Sequence, residues 1–178
     1  KDTFFFDVSD KYVEFGERHD MHIIGHTLVW HSQLGEWMNQ LKDSSEMASA
    51  LSNHIHTIVD RYKGRIDSWD VVNEALNEDG SLRESVFYNA MGGSYLVHAF
   101  KMAEAADPEV ELVYNDYNLW KAEKREGVIR LIKELRANGA RIDGVGMQAH
   151  WSLLGPTIED IENSILAYAE HDVKVMFT

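Results

Sequence analysis

Ile66-Asp67-Ser68-Trp69-Asp70-Val71-Val72-Asn73-Glu74 carries Ile66, Trp69, Val71 and Val72 as its apolar residues, follows Gly64 and ends on an amide and a carboxylate. A short run with an apolar centre bounded by turn signals reads as a buried strand, and an amide and a carboxylate at its end mark a rim rather than a core. Toward the N-terminus, Leu51, Ile55, Ile58, Val59 and Tyr62 recur at helical spacing and hand over through basic residues and Gly64 to this strand. A strand is expected before that helix at His22–Trp30. It is preceded by an amphipathic helix carrying Val8, Tyr12 and Phe15 behind a Ser9 cap and stopping near Asp20. Toward the C-terminus, Gly92-Gly93 precede a helix from about Ser94 to Ala106 that Pro108 closes, and Glu111–Asn115 reads as a strand. Val128, Leu131, Ile132 and Leu135 mark a further helix ended by Asn138-Gly139, with a strand following at Gly144–His150. Thr157, with Asp160 three residues on, opens a helix along Ile161, Ile165 and Tyr168, and Lys174–Phe177 begins another strand.

Strands that alternate with helices imply a parallel α/β sheet. Such a ladder fits a doubly wound sheet or part of an eight-stranded barrel, and periodicity does not choose between them. Strand-end chemistry does. No strand leads into a Gly-x-Gly-x-x-Gly turn or a Gly-Lys-Ser loop. Polar and aromatic groups gather instead at Trp30-His31-Ser32-Gln33, Asn73-Glu74, Asn115-Asp116-Tyr117-Asn118 and Gln148-Ala149-His150-Trp151, where a barrel keeps its active site.

The 178 residues are 44% apolar, enough to bury a core as one domain. Their 17 Lys+Arg against 30 Asp+Glu give a net charge of −13, which disfavours nucleic acid and anionic membranes as partners. The absence of cysteine excludes thiol nucleophiles and Cys-ligated zinc. No apolar run approaches the roughly 18 residues of a membrane helix. Lys1-Asp2-Thr3-Phe4 offers neither a starting Met nor a signal-peptide layout, so both ends read as cut.

Glu74 closes an otherwise buried strand beside Asn73. Desolvation opposes ionisation of such a carboxyl, which suits a general acid, and glycosidic oxygens must be protonated to leave; the bland reading is a salt-bridged structural Glu. Trp30, Trp37, Trp120 and Trp151 stand at or beyond strand ends, where rings stack on sugars while Gln33, Gln148 and Asn115 bond hydroxyls; core packing is the alternative for each. His26, His31 and His150 lie toward the same rim and read as hydrogen-bonding side chains, not metal ligands. The His54-Ile55-His56 spacing falls in a helix, where residues two apart diverge. No metal and no cofactor is expected. Lys121–Arg125 reads as helix-end charge, and Met91, Met102 and Met147 as core filler.

Gly25-His26-Thr27-Leu28-Val29-Trp30-His31-Ser32-Gln33, Trp69–Glu74, Tyr114-Asn115-Asp116-Tyr117-Asn118 and Gly146-Met147-Gln148-Ala149-His150 together resemble glycoside hydrolase family 10, the endo-1,4-β-xylanases. The resemblance implies an α/β fold, a (β/α)8 TIM barrel. This chain would supply roughly strands 3 to 7 of it, as one partial catalytic domain over residues 1–178. It further implies retaining hydrolysis of internal bonds in xylan, with xylan or xylo-oligosaccharides as partners and a secreted or cell-envelope parent. Glu74 matches the acid/base, and Asn73 the amide that contacts the sugar 2-hydroxyl. His26, Trp30 and Gln33 match residues on the glycone side, and Gln148 and His150 the pair beside the nucleophile. Asn115 and Tyr117 match positions near the leaving group.

In the family the nucleophilic Glu follows the position of Thr178, so the resemblance puts it just beyond Val175-Met176-Phe177-Thr178, and a chain with one carboxylate alone is expected to be nearly inactive. An incomplete barrel leaves sheet edges and apolar surface open and is expected to self-associate. The alternatives are a non-catalytic xylan-binding barrel relative and a β-glucanase or cellulase of another barrel family.

Overall fold

The computed structural model describes residues 3–178; Lys1 and Asp2, part of the N-terminal reading above, lie outside them. The elements run α1 (Asp7–Arg18), β1 (Ile24–Trp30), a 3-10 turn (Glu36–Gln40), α2 (Ser44–Arg61), β2 (Ser68–Asn73), α3 (Val86–Met91), α4 (Ser94–Ala106), β3 (Glu111–Tyr117), α5 (Ala122–Ala137), β4 (Gly144–Gln148), α6 (Ile158–Ala169) and β5 (Lys174–Phe177). All five strands are parallel and pair in the order β1-β2-β3-β4-β5. Each crossover therefore steps the same way, and right-handed crossovers then put the helices on one face. A doubly wound sheet reverses direction midway and covers both faces. The sheet is thus an arc of a (β/α)8 barrel, with its strand ends gathered on one rim.

The strands central to the arc are the driest. Every residue of β2 and of β4 is buried, whereas β5 at the edge has none buried. Behind the sheet, Leu51, Ile55 and Val59 of α2, Ala99, Phe100 and Ala103 of α4 and Val128, Ile132 and Leu135 of α5 form one continuous core. Met147 lies in that core, with Met91 and Met102 packed against it.

Helix ends follow local chemistry. Thr157 and Asp160 make the expected capping box of α6. Asp43 caps α2, and the Ser45 hydroxyl, with the N–H groups of Glu46 at 3.1 Å and Ser45 at 2.8 Å, donates to its carboxylate and holds it below the usual carboxylate range.

Three expectations are corrected. Ser9 does not cap α1, which begins at Asp7 with Phe6 at its N-cap; acidic Asp7 and Asp10 in the first turn complement the helix dipole instead. The stripe Val8, Tyr12 and Phe15 is exposed, and α1 buries Val13 and Gly16, because the missing side chain of Gly16 lets the helix close onto Ile23. The first strand starts at Ile24 rather than His22, since the Ile23 N–H is taken by the Asp67 carboxylate at 2.6 Å. Two short elements carried no usable signal, the 3-10 turn and α3. No described helix is long and apolar enough to cross a membrane.

The loop after β2 docks on α5 at a glycine pair. Gly80 has φ +76°, and a Cβ on Gly127 would stand 2.7 Å from the Gly80 backbone. Backbone cannot rotate aside, so Gly127→Ala is expected to destabilise the fold by about 1–3 kcal/mol, read as a lowered midpoint of urea unfolding with an unchanged slope.

Candidate active site

β2 places Asn73 as its last residue and Glu74 just beyond it, where the backbone turns left-handed at φ +58°. That turn is held by the neighbouring strand: the Glu74 N–H donates to the Asn115 carbonyl at 2.9 Å and the Ala75 N–H to the Tyr114 hydroxyl at 3.1 Å. Arg83 closes the other side, its Nε donating to the Glu74 carbonyl at 3.0 Å.

The carboxyl of Glu74 points into an open cleft of about 420 Å³ lined by Ile24, His26, Trp30, Asp70, Asn73, Glu74, Asn115, Gln148, His150 and Thr178. Both of its oxygens accept a hydrogen bond. Trp30 Nε1 donates to Oε2 at 2.9 Å and Gln148 Nε2 to Oε1 at 3.1 Å. Two donors from two other strand ends thus fix the orientation of one carboxyl, the geometry wanted of a group that gives and takes a proton at a defined place.

Beside it runs a row of amides. Asn73 Oδ1 accepts from Asn115 Nδ2 at 2.9 Å and from Gln148 Nε2 at 3.0 Å, and Thr178 Oγ1 donates to Asn115 Oδ1 at 2.7 Å. With its amide turned over, Asn73 instead accepts from Trp30 Nε1 at 3.1 Å and donates to the Asn115 carbonyl at 3.1 Å. The Trp30 N–H is already committed to Glu74, so the first orientation keeps more of the row satisfied.

On the β1 side, His26 Nδ1 lies 2.8 Å from Asp70 Oδ2. This bond to a buried carboxylate raises the imidazole above its ordinary value, against partial desolvation. Burial, aided by the Arg83 charge, lowers His31, whose Nδ1 is buried and without a partner among the described residues.

Seven of the nine expected site residues meet in this cleft, and Gln33 and Tyr117 do not. Gln33, at φ +55°, turns into an adjoining pocket of about 210 Å³ with Trp37 and His54, a pocket that shares Trp30 with the cleft. Tyr117 faces behind the rim, its hydroxyl accepting from Arg83 at 3.0 Å and its ring lying under Lys124 Nζ at 3.5 Å. The tryptophans likewise divide. Trp30 lines the cleft and Trp37 the adjoining pocket, but Trp151 packs edge-on against Phe177 and Trp120 beside Lys121. Lys124 is not a helix-end surface charge: it is fully buried, 2.9 Å from the equally buried Asp116. His54 and His56 diverge as a helix requires, His56 bonding back to the Ser52 carbonyl.

Asp70, Arg83 and Thr178 join the site without having been singled out. Asp70 carried a weak signal, a charge inside a buried strand; Arg83 carried none, lying in a loop whose path the sequence does not disclose.

Comparison with known proteins agrees on one family. The sequence profile of Glycosyl hydrolase family 10 matches residues 1–178. Endo-1,4-beta-xylanase A of Xylanibacter ruminicola is 45% identical over 175 residues, covering 96% of this chain and 47% of that protein. A family 10 endoxylanase retrieved from a sugarcane soil metagenome superposes with a TM-score of 0.95 at 41% identity, over 99% of this chain and 52% of that one. Xylanase 10B from Thermotoga petrophila RKU-1, solved in complex with xylobiose, does so with a TM-score of 0.93 at 38% identity, over 98% and 54%. The chain spans about half the length of these relatives or less.

The His26–Asp70 contact has a pH signature. Because folding raises the imidazole value, its stabilising contribution is complete below the unfolded value of 6.5 and disappears as the pH climbs through the higher folded one. The melting temperature of a His26→Asn protein is therefore expected to lie furthest below that of the parent near about pH 5.5 and to converge on it by about pH 9. A gap constant across that range would exclude the ion pair as its source.

Proposed function

The chain belongs to glycosyl hydrolase family 10, and on that premise we propose that residues 1–178 are part of the catalytic domain of a retaining endo-1,4-β-xylanase, with Glu74 as its acid/base. The observation that carries this reading is the carboxyl of Glu74, held by Trp30 and Gln148 at the barrel rim and facing an open cleft. As an acid it protonates the departing glycosidic oxygen; as a base it later draws a proton from water. Asn73, fixed by Asn115 and Gln148, presents an amide to the 2-hydroxyl of the sugar at the cleavage point, where such a bond strengthens as the oxocarbenium-like state forms. His26, Trp30 and Gln33 line the glycone side, with Gln33 acting from the adjoining pocket. His150 and Gln148 line the cleft with Glu74, and Asn115 bears on the leaving-group side, whereas Tyr117, turned behind the rim onto Arg83 and Lys124, has no direct part there.

Retention needs a second carboxylate as nucleophile, about 5–5.5 Å from the first. Asp70 in the cleft is engaged by His26. Thr178 stands on the cleft wall bonded to Asn115, which supports a nucleophile entering from the rim directly after it. The substrate we infer is xylan or its oligosaccharides, in keeping with the xylobiose bound by the Thermotoga petrophila relative. If the substrate is the polymer it is met outside the cell, which supports a parent protein that is secreted or held at the envelope.

Substitution in the full-length protein tests the role of Glu74. Glu74→Ala is expected to slow xylan cleavage by about 10²–10⁴-fold, the range general acids contribute, while leaving the glycosylation step intact for aryl xylosides whose leaving group needs no proton. Equal loss on both substrates would overturn the assignment.

Produced alone, these 178 residues expose Phe5, Val8 and Tyr12 on one flank and Leu153, Leu154, Ile158 and Phe177 on the other. Self-association is the expected result, seen as fast-sedimenting species. One sharp monomer boundary with a cooperative melt would contradict it.

A further inference from the structure

Behind the cleft lies a connected set of buried groups that the hydrolytic reading of Glu74 leaves without a task. Asp116 and Lys124 have fully buried side chains and meet at 2.9 Å. The other oxygen of Asp116 accepts the Tyr114 hydroxyl proton at 2.5 Å, and the Tyr114 oxygen in turn accepts the Ala75 N–H at 3.1 Å. The lysine is shared: its Nζ also lies 3.5 Å from the centre of the Tyr117 ring and 3.6 Å from Glu78 Oε1. Tyr117 continues the path, for its hydroxyl accepts from Arg83 Nη2 at 3.0 Å while Arg83 Nε donates to the Glu74 carbonyl at 3.0 Å. Both poles of a single peptide unit are therefore gripped, the Ala75 N–H by Tyr114, which Asp116 holds, and the Glu74 carbonyl by Arg83, which bonds the Tyr117 hydroxyl beside Lys124.

We propose that Tyr114, Asp116 and Lys124 are positioning residues that act through the Glu74–Ala75 peptide to aim the Glu74 carboxyl. The proposal rests on Glu74 being the acid/base. The chemistry of the relay has a direction. A phenol beside a carboxylate donates its O–H to it and keeps the proton, which leaves the phenol oxygen free to accept, and among the described residues the donor it faces is the Ala75 N–H. Burial opposes the charge on Asp116 and pushes its carboxyl up, while Lys124 draws it back. The ammonium, together with the Tyr117 N–H that donates to the same oxygen at 2.8 Å, favours the ionised acceptor. Without that acceptor the Tyr114 hydroxyl is free to rotate, and the N–H pole of the peptide that follows a left-handed residue loses the partner that orients it.

The rival is a stabilising ion pair with no bearing on turnover. Tyr114→Phe in the full-length protein separates the two, since it keeps the ring that fills the core and deletes only the hydroxyl. Expected is a fall in kcat on xylan of about tenfold, the factor matching one lost hydrogen bond of ordinary strength. KM should stay within about twofold, as should the glycosylation rate of an aryl xyloside with an activated leaving group, read in the pre-steady-state burst. In a Glu74→Ala background the same change should lower xylan turnover no further, because no carboxyl remains to aim. Asp116→Asn should reproduce the pattern if it folds, and Tyr114→Phe carries the test if it does not. Equal loss on both substrates, a further loss in the Glu74→Ala background, or a lowered melting temperature with kcat unchanged would each overturn the relay. If Glu74→Ala itself fails to discriminate the two substrates, the acid/base reading fails first and the relay with it. A discriminating Glu74→Ala with an indifferent Tyr114→Phe defeats the relay alone.

Discussion

Everything at the rim depends on one backbone angle. Glu74 sits at φ +58°, a conformation that costs an L-residue about 1–2 kcal/mol. A glycine would relieve that cost and lose the side chain. The chain keeps the carboxylate and offsets the strain with one backbone–backbone hydrogen bond, from the Glu74 N–H to the Asn115 carbonyl, and two between backbone and side chain, from the Ala75 N–H to the Tyr114 hydroxyl and from Arg83 Nε to the Glu74 carbonyl. The effect is geometric. The turn releases Glu74 from the alternation of a strand, and its carboxyl meets Trp30 and Gln148 from strands on either side.

Those meetings require the strand order. In a sequential parallel arc each strand ends on the same rim as its neighbours, so residues 42 to 75 positions apart come within hydrogen-bonding range of one another. Asn73, Asn115 and Gln148 form their row of amides because β2, β3 and β4 are consecutive in space as well as in sequence. The one-sided helix layer frees the other face for this chemistry. Gly127 against Gly80 shows how closely that layer is drawn in, since the loop leaving Glu74 docks on α5 with no room for a methyl group.

How much of this was legible in the sequence varies with range. Local rules served well: the capping box at Thr157 and Asp160, the bounds of α4 and β5 and the polar ends of the strands follow from neighbours a few residues apart. Periodicity misled at α1, because it finds an apolar stripe without saying what the stripe faces; Val8, Tyr12 and Phe15 are exposed while Gly16 makes the close contact. At the site, Asn73, Asn115 and Gln148 stand toward the strand ends on the cleft, where the strand-end reading put them. Gln33 departed because a left-handed turn follows its strand, and Tyr117 because its ring is recruited by Lys124. Lys124 itself was read as surface charge. Its burial is decided by Asp116 on a different element, and a basic residue in the first turns of a helix gives no sign of such a partner.

That pair has a consequence for how this part of the sequence can vary. Replacing Asp116 or Lys124 alone strands a charge where no water reaches, at a cost of about 3–5 kcal/mol, a large share of the stability of a typical domain. Replacing both with apolar residues of similar volume is often neutral or even favourable for folding. The two positions are therefore mutationally bound to each other, since a chain in which one of them alone has changed carries an unpaired charge in its core.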